Sequence, residues 1–169
     1  LSKGYGVILA GRSEESLKTQ KDNLLNLNAS SSIEIAPFNA NFFESHASFY
    51  NSLPVKPMGV ITLIGYLGEQ KVSELSFKET HEVYAANLIG NVSVLNIIAS
   101  NFEKRRSGFI VGVSSVAGLR GRKSNYIYGS AKAGFISYLS GLRNRLHNSN
   151  ISVLTVLPGF VATKMTQHL

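Results

Sequence analysis

The chain has 169 residues, 44% of them hydrophobic and 16% charged, about one domain's worth with enough apolar content to bury a core. That composition excludes an intrinsically disordered segment. There is no cysteine, which excludes disulfides, thiol catalysis and cysteine-based metal sites and leaves the compartment open; the formal net charge is +7, which raises nucleic acid as a partner.

In chain order, residues 7–10 (VILA) are a short apolar run and read as a buried strand. A helix over 13–26 follows, with Ser13 as N-cap, Glu14 and Glu15 in the first turn, and Leu17, Leu24 and Leu27 as an apolar stripe. Residues 32–38 read as the next strand, 44–53 as a short helix stopped by Pro54 and Pro57, and 59–64 as another buried strand. A long helix is expected over 77–102, then a strand over 108–114, a helix over 126–146 and a strand over 151–157. Strands that alternate with helices, and that are apolar throughout, argue for an α/β fold with a parallel sheet covered on both faces. No repeat, low-complexity tract or linker interrupts the pattern, so residues 1–169 are expected to form a single domain.

Four histidines (His46, His81, His147 and His168) lack metal-ligand spacing and read as solvated surface residues, so no metal is expected. No apolar run approaches the roughly 20 residues of a membrane span. The opening residues have no signal-peptide layout, which makes a cytoplasmic enzyme the expectation. The basic residues fall in three groups: Lys104-Arg105-Arg106, Arg120/Arg122/Lys123 and Arg143/Arg145. No aromatic interleaving or nucleic-acid motif accompanies them, so nucleic acid is not the expected partner. The first and third read as solvated helix ends, where cations are favoured near a C-terminus. The middle group is either an ordinary basic loop or a site for an anionic substrate.

Chemistry enters at Tyr128-Gly-Ser-Ala-Lys132, with Ser115 thirteen residues before the tyrosine (128 − 115 = 13). Tyrosine and lysine at i and i+4 share one helix face, so the ammonium can sit beside the phenol. A phenol near pKa 10 holds its proton too tightly for acid catalysis near neutrality, and a neighbouring cation lowers that value. A serine hydroxyl at the preceding strand end can hydrogen-bond the same substrate oxygen. Tyr126 is a decoy, because Ser130 and not a lysine lies four residues on.

With Ser115, Tyr128 and Lys132 in this order, the chain resembles the short-chain dehydrogenase/reductase family. Asn87 in Ala86-Asn87-Leu88-Ile89-Gly90 matches that family's structural asparagine, and Leu157-Pro158-Gly159-Phe160-Val161-Ala162-Thr163 matches its Pro-Gly segment. The resemblance implies a Rossmann-like doubly wound parallel sheet in three α/β/α layers. It also implies Tyr128 as general acid/base, Lys132 lowering the tyrosine pKa and holding the nicotinamide ribose, and Ser115 polarising a carbonyl. Asn87 would orient Lys132 through water, and Pro158, Gly159, Val161 and Thr163 would line the nicotinamide. In such a fold an acid after the second strand selects NAD and a basic residue accommodates a 2′-phosphate; here Arg12 and Ser13 stand at that point, so NADP(H) is expected. The bland alternative makes Arg12 a surface residue at a strand end. Asn39 and Ala40 would lie near the adenine. Of the family's Asn-Asn-Ala-Gly segment only Gly65 remains, able to let the cofactor approach the backbone.

The family's first strand with its Gly-rich turn, and its last strand, have no counterpart here, so the chain is expected to be an internal fragment of a longer protein. The departures around Gly65 and the basic residues beside the site resemble the branch acting on keto sugars linked to prenyl phosphate, as in decaprenylphosphoryl-ribose epimerisation. That branch implies a flavoenzyme partner. A generic 3-oxoacyl or hydroxysteroid-type reductase is the enzyme alternative, and a non-catalytic scaffold subunit the alternative of another class. The family resemblance also implies a homodimer or homotetramer, for which Phe135, Tyr138 and Leu142 serve as interface as easily as core.

Overall fold

A computed structural model of the chain describes residues 4–163. They form two compact units, the first from residues 4–39 with 51–57 and the second from residues 40–50 with 58–163.

In the first unit, strands β1 (Val7–Gly11) and β2 (Ile33–Pro37) pair in parallel, Val7 opposite Ile33 through Gly11 opposite Pro37. Helix α1 (Glu14–Leu27) makes the crossover that parallel pairing requires. Ser13 caps it: the hydroxyl accepts from the Ser16 N–H at 3.2 Å, one of the donors that a helix N-terminus leaves open. Leu17 is buried over Gly11, but Leu27 is 82% exposed, so the apolar stripe ends a turn earlier than its sequence suggests.

The second unit is built on a three-stranded parallel sheet in the order β3 (Gly59–Thr62), β4 (Gly108–Val113), β5 (Ile151–Val156). Before β3 comes the short helix α2 (His46–Ser52). Between β3 and β4 run α3 (Gln70–Leu75), α4 (Phe77–Tyr84) and α5 (Gly90–Arg105); between β4 and β5 runs α6 (Tyr126–Leu146). Parallel strands joined through helices make this an α/β fold, as expected, with the strands hydrogen-bonded as one pair and one triplet.

Helices α5 and α6 pack on the sheet over the row Val60–Ile110–Val153. Their buried side chains Leu95, Phe102, Phe135, Leu139 and Leu146 form the core of the unit. Phe135 and Leu142 belong to that core. The next row, Ile61–Val111–Leu154, points the other way because side chains alternate along a strand. There Ile61 is 60% and Leu154 56% exposed, so these apolar strands are not buried on both faces among the described residues.

Three further differences from the sequence reading bear on the site. Helix α3 is not anticipated by any apolar periodicity. The expected continuous helix over 77–102 is interrupted by a π-helical turn, Ala85–Ile89, which holds Asn87. And His46 is buried, its Nδ1 2.9 Å from the Ser93 hydroxyl, where a solvated histidine was expected. The stretch Phe77–Arg105 is long and apolar enough, by length and composition, to cross a membrane. Its side chains Val83, Val94, Ile98 and Ala99 are, however, buried within the unit.

Candidate active site

The candidate residues of the second unit gather at the carboxyl ends of the three parallel strands, where ligands bind in open α/β sheets. Gly65 follows β3, Ser115 follows β4 and Pro158 follows β5. The Ser114 N–H donates to the Val156 carbonyl at 2.8 Å and the Val116 N–H to the Pro158 carbonyl at 3.2 Å. Backbone pairing therefore ties the Ser115 turn to the Pro-Gly segment.

The two serines divide the work. Ser114 is buried and donates its hydroxyl to the Lys132 carbonyl at 3.0 Å, which pins α6 to the end of β4. Ser115 accepts from the Ala117 N–H at 3.1 Å, and its hydroxyl acts on the Tyr128 phenol. The approach is close because two glycines permit it. A Cβ on Gly129 would lie 2.8 Å from the Ala117 carbonyl oxygen, and one on Gly118 would lie 2.8 Å from the Ala133 nitrogen. Those small residues in the sequence thus set the Ser115–Tyr128 distance.

Lys132 is 3% exposed; its Nζ lies 5.6 Å from the Tyr128 ring centroid and 3.5 Å from the Ile64 carbonyl oxygen. Burial lowers its pKa to about 8, since a low-polarity setting disfavours the ammonium. Burial likewise raises the Tyr128 phenol, and the hydrogen bond from Ser115 works against that rise. The family resemblance implies a phenol lowered by its lysine. In this structure desolvation wins instead, with the ammonium turned toward Ile64.

Asn87 is fully buried. Its Oδ1 accepts from the Tyr66 N–H at 3.2 Å, and its Nδ2 donates to the carbonyls of Tyr66 at 2.6 Å and Val83 at 2.8 Å. The carboxamide thereby pairs both backbone polar groups of Tyr66 in the loop after β3. A Cβ on Gly65 would sit 3.0 Å from Asn87 Oδ1 and 3.3 Å from Lys132 Nζ, so glycine lets both side chains come close to the loop backbone. Gly65 and Lys132 thus stand together at the carboxyl end of β3, the side of such sheets on which a dinucleotide binds.

The remaining predicted residues are placed as follows. Ala40 is buried, its carbonyl against Gly90, where any Cβ would collide. Gly159, Val161 and Thr163 are exposed. In the first unit Arg12 is exposed and has no carboxylate partner among the described residues, Ser13 is engaged as the α1 cap, and Asn39 is exposed. Arg120, Arg122 and Lys123 are all exposed and pair with no carboxylate among the described residues.

Sequence reasoning missed Gln70, whose Oε1 accepts from the Ile127 N–H at 3.3 Å and so caps helix α6 from α3. It also missed Tyr66, whose hydroxyl donates to Glu79 at 2.7 Å, and the pair Thr62 and Asn91. The available signal was polarity: Thr62 and Asn91 interrupt otherwise apolar stretches.

A Ser–Tyr–Lys cluster at the carboxyl ends of parallel strands defines a Rossmann-like oxidoreductase domain. The chain belongs to the short-chain dehydrogenase family, whose sequence model matches residues 1–169. It is 33% identical over 172 aligned positions to an uncharacterised oxidoreductase of Mycobacterium tuberculosis, covering 100% of this chain and 69% of that protein. With a 3-oxoacyl-[acyl-carrier-protein] reductase of Chlamydia trachomatis it shares 32% over 120 residues, 71% of this chain and 47% of the relative. Among solved structures, the F189W actinorhodin polyketide ketoreductase with NADPH superposes with a TM-score of 0.89 at 23% identity. That match covers 97% of this chain and 64% of the ketoreductase, and at this identity it speaks for the fold alone.

Proposed function

We propose that the protein is an NADP(H)-dependent oxidoreductase interconverting a carbonyl and a secondary alcohol, with Tyr128 as general acid/base. The observation that carries this reading is the cluster of half-buried Ser115 and Tyr128 with buried Lys132, beside the Asn87-held loop. Ser115 and Tyr128 present two hydroxyls to one substrate oxygen. Tyr128 gives that oxygen a proton in reduction and takes it in oxidation. The buried Lys132 ammonium, one helical turn away, stabilises charge at the phenol as the proton leaves. Asn87 serves as a positioning residue, fixing the backbone that faces Lys132. The nicotinamide, when bound, supplies or accepts the hydride. Gly65, Pro158, Gly159, Val161 and Thr163 would hold its half of the cofactor. Arg12 is proposed to take the 2′-phosphate, with Ser13, Asn39 and Ala40 toward the adenine end.

For the substrate, the exposed basic residues Arg120, Arg122 and Lys123 between Ser115 and Tyr128 favour an anionic group, and we propose a phosphate-bearing keto sugar. The similarity to the chlamydial 3-oxoacyl reductase favours a second reading, a 3-oxoacyl thioester. A cytoplasmic homo-oligomer remains part of the proposal.

The test is turnover and cofactor binding in the protein and its Tyr128→Phe variant. NADPH should bind both, seen as enhanced nucleotide fluorescence, while the variant loses nearly all turnover. Undiminished turnover in Tyr128→Phe would sink the assignment. Carbonyl substrates with and without phosphate, run in the same assay, decide between the two substrate readings.

A further inference from the structure

Asn91 is a fully buried polar residue in α5, on the side that faces β3, and the chemistry above does not use it. Its Oδ1 accepts the hydroxyl of Thr62, the last residue of β3, itself buried. Its Nδ2 donates to the Ala86 carbonyl at 3.1 Å and the Asn87 carbonyl at 3.3 Å. Those carbonyls belong to the π-helical turn Ala85–Ile89, where the regular ladder of an α-helix is displaced. One carboxamide therefore satisfies the irregular turn and fastens it to the sheet. A leucine of the same size would fill the space and satisfy neither partner.

The consequence runs toward the active site. The turn carries Asn87, Asn87 holds both backbone groups of Tyr66, and the preceding Ile64 carbonyl faces Lys132 Nζ. We propose that Asn91, with Thr62, is a positioning residue for Lys132: it locks the π-helical turn so that Asn87 sets the loop against which the ammonium rests. The proposal rests on the reading of Lys132 as part of the catalytic cluster. The Asn91–Thr62 linkage itself stands on geometry alone.

Two variants test it. Asn91→Leu removes both sets of bonds, and Thr62→Val, nearly isosteric, removes only the hydroxyl and is the milder change. The first readout is amide hydrogen exchange at Tyr66 relative to Val153, a buried residue of β5 remote from the linkage. In both variants Tyr66 should exchange about tenfold faster than in the parent relative to Val153, the size of one buried hydrogen bond lost. Thr62→Ser, which keeps the hydroxyl, should restore most of the protection. An unchanged Tyr66 to Val153 ratio would overturn the linkage, even if both variants were globally less stable. The second readout is turnover: kcat should fall about tenfold in Asn91→Leu, by more than KM rises. A released Tyr66 amide with kcat unchanged would overturn the positioning of Lys132. A parent protein without turnover on any carbonyl would refute the proposed function, while the exchange ratio still decides the linkage.

Discussion

Replacing Lys132 by methionine should make the protein more stable at neutral pH while abolishing its turnover. The ammonium is 3% exposed and its pKa falls from 10.5 to about 8 on burial. At 1.36 kcal/mol per pKa unit, holding it charged costs the folded state roughly 3 kcal/mol. Below pH 8 the lysine is charged in both folded and unfolded chains, and the whole cost applies. Between 8 and 10.5 the unfolded chain binds the extra proton, so the stability of the parent rises with pH. Above 10.5 the penalty is gone. Methionine keeps the length and apolar body of the side chain without the charge; the bond given up, at 3.5 Å to the Ile64 carbonyl, is a long one. Lys132→Met should therefore gain about 1–3 kcal/mol at pH 7, a rise in Tm of roughly 2–12 °C for a chain of this size. The gain should shrink toward zero by pH 10.5. Thermal unfolding of both proteins across pH 6.5–10.5 is the assay. A variant less stable than the parent at pH 7, or an advantage that does not narrow with rising pH, would refute the argument. A stability gain with activity lost is the behaviour of a strained functional residue.

The other predictions concern close approach and cofactor choice. Gly129→Ala and Gly141→Ala are the same change in the same helix, yet they should differ in sign. A Cβ at 129 meets the Ala117 carbonyl at 2.8 Å, whereas one at 141 meets nothing within 4 Å. The first should cost about 1–2 kcal/mol net of helix propensity and disturb Ser115; the second should gain about 0.5–1 kcal/mol. Chemical unfolding of the pair checks this, and equal effects would show that the Ser115 turn yields easily. Arg12→Glu should reverse a preference for NADPH over NADH in a fluorescence titration, as a carboxylate repels the 2′-phosphate and can accept from a ribose hydroxyl; a preference that persisted would assign selection elsewhere.

Much of this protein is written in short-range pattern. The apolar runs and their spacing are sufficient for a parallel α/β fold, because strands flanked by helices must be apolar and helices show their caps, as Ser13 does. Tyr128 and Lys132 share a face by helical geometry alone, and their order with Ser115 and Asn87 marks the family. Other features depend on residues distant in sequence. Thr62 and Asn91 lie 29 positions apart and become a pair only when α5 packs on β3. The π-helical turn and the burial of His46 follow from such packing. So does the sign of the Tyr128 shift: sequence puts a cation four residues away, but only the fold determines that burial raises the phenol and that the ammonium faces Ile64. Periodicity is a property of the chain, whereas desolvation and long-range hydrogen bonding are properties of the packed structure.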